Sequence, residues 1–164
     1  MEICEYEERW HGEVCDLVLS IQNDEYGIGL PLEEQPDLVD IKGSFSNGGR
    51  FWAALKDGRV VGCIGLMRKT PTGGVLKKFF VSPSVRGEGV GLALYQTLEA
   101  FCQAEGITTL VLDTPSVATR SHRFYRRAGF VEVTRSQLPF PYDYPDRDSL
   151  LFLKVMPQAE RGDA

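Results

Sequence analysis

Three glycines at alternate positions, Gly87, Gly89 and Gly91, lie within residues 81–92, VSPSVRGEGVGL. An apolar run precedes them and a helically patterned run follows. Glycine lets a backbone turn sharply and lets a ligand approach where a Cβ would intrude. The unpaired N–H groups that open the next helix point back into such a loop, which suits it to phosphate or pyrophosphate. Arg86 adds a planar fork of donors matched to phosphate oxygens. Two familiar phosphate motifs fit less well. A dinucleotide fingerprint needs GxGxxG at the opening of a first βαβ unit, whereas these glycines run GxGxG and follow a hairpin. A P-loop needs a Gly-Lys-Ser/Thr ending, which is absent. The bland alternative is a flexible loop with no ligand.

The elements that must position this loop follow from hydrophobic period. A short strand is predicted over 1–7 and a helix over 10–26, with Val14, Leu17, Val18 and Ile21 at helical spacing. A second helix fits 33–45, with Leu38, Val39 and Ile41 apolar. Strands are predicted over 51–55, 60–67 and 75–81, joined by an Asp57-Gly58 hairpin turn and by TPTGG at 70–74. Helix 91–105 follows, then a continuously apolar strand at 109–113, a helix at 117–128 and strands at 130–133 and 150–155. Helices thus alternate with a mixed sheet in a three-layer α/β arrangement.

The chain has 164 residues, 43% of them hydrophobic and 25% charged, which bounds it to one ordinary globular domain. We read residues 1–156 as that domain and 157–164 as a polar tail. The formal net charge of −5 argues against a dedicated nucleic-acid binder. Cys4, Cys15, Cys63 and Cys102 show no metal-ligand spacing, so no metal is expected and free thiols in a reducing compartment are. The acidic start lacks an apolar signal core, and no run reaches the ~18–20 apolar residues of a bilayer span. A cytoplasmic location without a membrane partner is the expectation.

The motifs together resemble the GNAT superfamily of acetyl-CoA-dependent N-acyltransferases. Arg86-Gly87-Glu88-Gly89-Val90-Gly91 matches the family's pyrophosphate motif at each fixed position. The strand ending at Val81 is similar to the family's bulged central strand, and 110–114 to the next parallel strand. Phe124 and Tyr125, followed by Ala128-Gly129-Phe130, match a common family ending. Gln35 to Leu38 (QPDL), 48–54 (GGRFWAA), LKKFFV and FPYDYPD resemble a group of small bacterial acetyltransferases of unassigned substrate.

The resemblance implies a three-layer α/β/α fold with a mixed, centrally splayed sheet. It implies acetyl-CoA as donor and direct attack by a primary amine through a tetrahedral intermediate. The acceptor is expected to be a small polar molecule. The alternatives are a protein or peptide acceptor, or a catalytically weak acyl-CoA-binding module. Homodimers are common among the relatives, so a second copy is a candidate partner. Main-chain groups of Phe79, Phe80 and Val81 would hold the pantetheine arm and supply an oxyanion donor. Tyr125 sits where relatives place the acid for the leaving thiolate; a core tyrosine is the alternative.

The base is less legible. The central strand carries Lys77 and Lys78 where relatives often carry a glutamate. Asp113 is the candidate to organise a water, against a plain turn carboxylate; Glu33 and Glu34 are others. Lys77 and Lys78 are expected to point to opposite faces, as strand neighbours do, with one able to attract a substrate carboxylate. His122 is a candidate shuttle or a packing histidine. Arg123 and Arg127 share a helix face and are candidates for the cofactor's ribose phosphate. Phe140, Tyr142 and Tyr144 are read as a substrate wall or a dimer contact.

Overall fold

A computed structural model describes residues 1–144 and 148–157. Pro145 of the aromatic loop, and the predicted tail apart from Pro157, therefore lie outside the described residues. The strands are β1 (Glu2–Glu5), β2 (Arg50–Lys56), β3 (Arg59–Thr70), β4 (Gly73–Val81), β5 (Thr109–Pro115), β6 (Val131–Val133) and β7 (Ser149–Val155). The helices are α1 (His11–Leu19), α2 (Pro36–Val39), α3 (Ile41–Ser44), α4 (Val90–Glu105) and α5 (Thr119–Arg127). The order is the one the hydrophobic pattern predicts, except that two short helices stand where it predicts one. The strands form one open, mixed sheet in the order β1-β2-β3-β4-β5-β7-β6, with flanking helices.

The chain divides into two compact units, Met1–Arg68 with Leu76–Glu99, and Lys69–Val75 with Ala100–Ala164. In the first unit, β1 and β3 pair antiparallel with β2. Asp57 and Gly58 take φ of 53° and 76°, the left-handed pair that a two-residue hairpin turn requires. Val14, Val18, Leu38 and Ile41, all fully buried, pack with Phe45, Phe51 and Ala53 into that unit's core. Each such side chain contributes about 1.5–3 kcal/mol by burial. Gly62 in β3 lets α4 lie close: a Cβ there would stand 2.9 Å from Leu94 and 3.3 Å from Val90.

In the second unit, residues Gly73–Val75 of β4 pair in parallel with residues Thr109–Val111 of β5. β4 continues to Val81 and β5 to Pro115. Antiparallel β7 lies between β5 and β6. Phe140 and Tyr142 close over Val75 and Val111, and the half-buried Tyr144 packs against that cluster.

Several local expectations change. The predicted helix 10–26 is regular only to Leu19. Residues Ser20–Glu25 widen into a π-turn in which the Tyr26 N–H donates to the Ile21 carbonyl at 3.0 Å. The predicted helix 33–45 is a 3₁₀ turn at Leu32–Glu34 followed by two four-residue helices. Gln35 is held extended by the following proline, with φ −121°. Asp40 breaks the run at φ −126° and caps α3, its carboxylate accepting from the Gly43 N–H at 3.0 Å. The turn predicted over 70–74 tightens, since β3 runs to Thr70 and β4 starts at Gly73. A 3₁₀ turn at Arg135–Gln137, closed by a Thr134/Gln137 capping box, carried no prediction.

Candidate functional site

The glycine loop has the conformation its residues suggest. Gly87 and Gly89 take φ of 82° and 83°, and a Cβ on either would meet no protein atom within 4 Å. Both therefore face open space in a backbone state that L residues avoid. The Ala93 N–H donates to the Gly89 carbonyl at 3.1 Å, which makes Gly89 the entry to α4. By helix geometry the N–H groups of Val90, Gly91 and Leu92 then have no intrahelical acceptor and point outward. With the helix dipole behind them they form an anion cradle. These residues fit the diphosphate of a coenzyme A thioester.

The arginine of the motif is paired within the chain. Its guanidinium forms a fork with Glu25, with N···O distances of 2.5 and 2.7 Å. That hydrogen-bonded carboxylate raises the Arg86 pKa further. Arg86 thus ties the loop to the π-turn rather than presenting its donors unengaged. Glu88 pairs with Lys56 at 3.0 Å. The π-turn has a geometric consequence: its extra residue places both Glu25 and the buried Gln22 toward the first unit's polar side chains.

The strand that feeds the loop contains a left-handed residue. Lys78 has φ 54°, a left-handed value rare outside glycine. Its carbonyl accepts the Cys63 thiol proton at 3.1 Å. This corrects the expectation that Lys77 and Lys78 point to opposite faces, because the left-handed residue breaks the strand's alternation. Both ammonium groups reach Asp37, Lys77 at 3.4 Å and Lys78 at 3.5 Å. Lys78 also donates to the Gln35 amide oxygen at 2.6 Å, and the Gln35 amide nitrogen donates to Gln22 at 2.9 Å. Gln35 is 3% exposed, so this is a pre-built polar network and not a solvated surface. Phe79, Phe80 and Val81 follow it, half-buried, and the Ser82 N–H ties the strand end to the Val61 carbonyl at 2.8 Å.

In the second unit, Tyr125 is buried among Phe124, Phe130 and Phe152, with ring centroids 5.7–6.0 Å away. His122 is buried and donates from Nε2 to the Pro115 carbonyl at 2.9 Å. Asp113 is half-buried and receives the Tyr142 hydroxyl at 3.5 Å. Burial, and then the Asp113 charge, push the Tyr142 pKa well above its ordinary value. Arg123 and Arg127 are exposed on α5. Glu33 and Glu34 are exposed on their 3₁₀ turn. Among the described residues no group of three or more His, Cys, Asp or Glu is placed to hold a metal ion. No described helix is long and apolar enough to cross a membrane.

Reading the sequence alone left Gln22, Glu25, Gln35 and Asp37 without roles. Gln35 and Asp37 lie in the QPDL stretch that carried a resemblance only. For Gln22 and Glu25 no local signal existed, because a π-turn has no distinctive residue pattern.

The fold and the loop agree with what the comparisons find. Residues 15–130 match the model of the Acetyltransferase (GNAT) family. An acetyltransferase structure from Streptococcus agalactiae is 40% identical, with a TM-score of 0.89 over 94% of this chain and 98% of that one. A GNAT-family acetyltransferase from Staphylococcus aureus is 31% identical, with a TM-score of 0.91 over 95% of this chain and 99% of that one. A protein named IAA acetyltransferase from Azospirillum brasilense is 33% identical over 75% of this chain and 78% of its own. Against a mouse relative named as a probable N-acetyltransferase of family 8, the chain spans 57% of the relative's length. The chain belongs to the GNAT family. It is an acetyltransferase of that family.

Proposed function

We propose that the chain moves an acetyl group from acetyl-CoA to the primary amine of a small polar molecule. One observation carries the reading. Within a single unit, a left-handed glycine pair opens α4, and the strand feeding it carries a half-buried network of Gln22, Gln35, Asp37, Lys77 and Lys78. The first feature suits a diphosphate. The second suits a compact polar acceptor better than an extended peptide, because its donors and acceptors converge on a few ångströms of strand.

When bound, acetyl-CoA would supply an activated thioester. The main chain of Gly87, Gly89, Val90 and Gly91 would hold its diphosphate, with Arg86 and Glu88 fixing the loop through Glu25 and Lys56. Main-chain groups of Phe79, Phe80 and Val81 would hold the arm and offer an N–H donor beside the thioester carbonyl. The Tyr125 hydroxyl would be the proton donor on the thiol side. Asp113 orders a water that accepts the amine proton, with the Tyr142 hydroxyl steadying one carboxylate oxygen. In this reading residues 1–156 act as one catalytic domain, in the cytoplasm and as a homodimer.

The test incubates the purified chain and acetyl-CoA with a panel of small amines and, separately, with peptides, and identifies products by mass spectrometry. The expected product is an acetylated small amine with free CoA. Acetylation of peptides alone would overturn the small-molecule reading. Binding without any transfer would make the chain an acyl-CoA-binding module.

A further inference from the structure

We infer that Cys63 is a positioning residue for the donor: its thiol fixes the two peptide planes that flank Phe79, and so aims the main-chain N–H and C=O of Phe79 at the pantetheine arm. This rests on the reading above that residues 79–81 hold that arm.

Two hydrogen bonds meet at the sulfur. The Cys63 thiol donates to the Lys78 carbonyl at 3.1 Å. The Phe80 N–H donates to the same sulfur. A thiol can serve both, since it has one S–H donor and an acceptor lone pair. Cys63 is fully buried. That burial pushes its pKa up to about 12, so the thiol keeps the proton it donates.

Peptide planarity carries these contacts one bond further. The described peptide bonds are trans, and in a trans peptide the C=O and N–H of one plane point in opposite directions. The Lys78 carbonyl shares its plane with the Phe79 N–H. With that carbonyl turned to Cys63 on β3, the Phe79 N–H faces away from β3. The Phe80 N–H shares its plane with the Phe79 carbonyl, which is turned away in the same manner. A regular strand sets such directions through its ladder, but Lys78 interrupts the regularity with φ 54°. Past the interruption the contact with β3 is close again. The Ser82 N–H donates to the Val61 carbonyl at 2.8 Å, and a Cβ on Gly62 would stand 3.2 Å from the Phe80 carbonyl oxygen. One buried side chain thus sets, across the break in the strand, the direction of a donor and an acceptor on adjacent peptide planes.

The experiment compares two ligands on the full chain by calorimetry: acetyl-CoA, and phosphoadenosine diphosphate, the nucleotide half of coenzyme A, which keeps the diphosphate and lacks the arm. The wild-type chain is expected to bind acetyl-CoA more tightly. Cys63→Ala is expected to weaken acetyl-CoA by about fivefold or more, the loss of two ordinary hydrogen bonds, and to leave the nucleotide within about twofold. A merely structural role would lower the melting temperature without closing the gap between the ligands. Cys63→Ser keeps a donor and an acceptor and is expected to restore most of that gap, with far-ultraviolet circular dichroism checking that each variant folds. Amide hydrogen exchange on the wild-type chain needs no variant. The Phe80 amide is expected to be protected without ligand, and the Phe79 amide to exchange more slowly with acetyl-CoA bound than with the nucleotide bound. Equal affinity of the wild-type chain for the two ligands overturns the assignment of the arm to this strand, and the inference with it. A gap that survives Cys63→Ala, a loss that Cys63→Ser does not restore, or an unprotected Phe80 amide overturns the positioning role alone.

Discussion

Gly89→Ala separates the loop's conformation from its ligand. Gly89 sits at φ 83° with open space where a Cβ would stand. The substitution therefore clashes with nothing and costs only the left-handed backbone penalty, about 1–2 kcal/mol. For a domain of this size that lowers the melting temperature by about 2–8 °C. The new methyl also occupies the space in front of the first α4 amides. Loss of one charge-assisted bond to phosphate is worth about 1.5–3 kcal/mol, or about tenfold to a hundredfold in acetyl-CoA Kd. Gly106→Ala is the matched control. It has φ 73° and equally open space, at the opposite end of the 16-residue α4. Calorimetric titration and thermal melts of both variants decide the matter. The reasoning predicts similar melting losses with weakened binding in Gly89→Ala alone. Wild-type affinity in Gly89→Ala, or equal weakening in Gly106→Ala, would refute the cradle.

Other perturbations test the remaining assignments. Tyr125→Phe keeps the ring packing against Phe124, Phe130 and Phe152 and removes only the hydroxyl; kcat is expected to fall at least about tenfold in single-turnover assays, with acetyl-CoA Kd unchanged. A full rate under those conditions would remove Tyr125 as the acid. Glu25→Gln cuts the Arg86 fork, whose side chains are 23% and 31% exposed. Melting should register less than about 1 kcal/mol after screening, and acetyl-CoA affinity should hold within about threefold if main-chain amides do the binding. Burial pushes the Cys63 thiol up from 9.0 to about 12. The folded state then binds more protons than the unfolded state between pH 9 and 12, so this group's contribution is full below pH 9 and is lost as pH rises through that window. Cys63→Ala is expected to flatten the alkaline decline in denaturant stability over that range, and an unchanged slope would contradict the assignment.

Much of this protein is written locally. The element order followed from period, since apolar residues at Val14, Val18 and Ile21 can face one core only as a helix. Asp57-Gly58 specifies its hairpin because left-handed φ is cheap for those residue types. The glycine loop was legible because Gly87 and Gly89 are needed for their own backbone states, which no distant contact has to impose. The helix breaks at Gln35 and Asp40 were also local, in the following proline and in a carboxylate able to cap, but the apolar run through Ile41 outweighed them.

Tertiary structure alone decided which polar side chains meet. Lys77 and Lys78 read as strand neighbours on opposite faces, and only the left-handed turn at Lys78, held by the Cys63 thiol on its carbonyl, brings both to Asp37. Arg86 reads as a phosphate ligand, yet its fork closes on Glu25, 61 residues away. The π-turn that delivers Glu25 and Gln22 has no residue signature, because it depends on the packing around it and not on propensity. Sequence determines backbone preferences residue by residue. The pairing of charges across tens of residues is settled by how the packed elements converge.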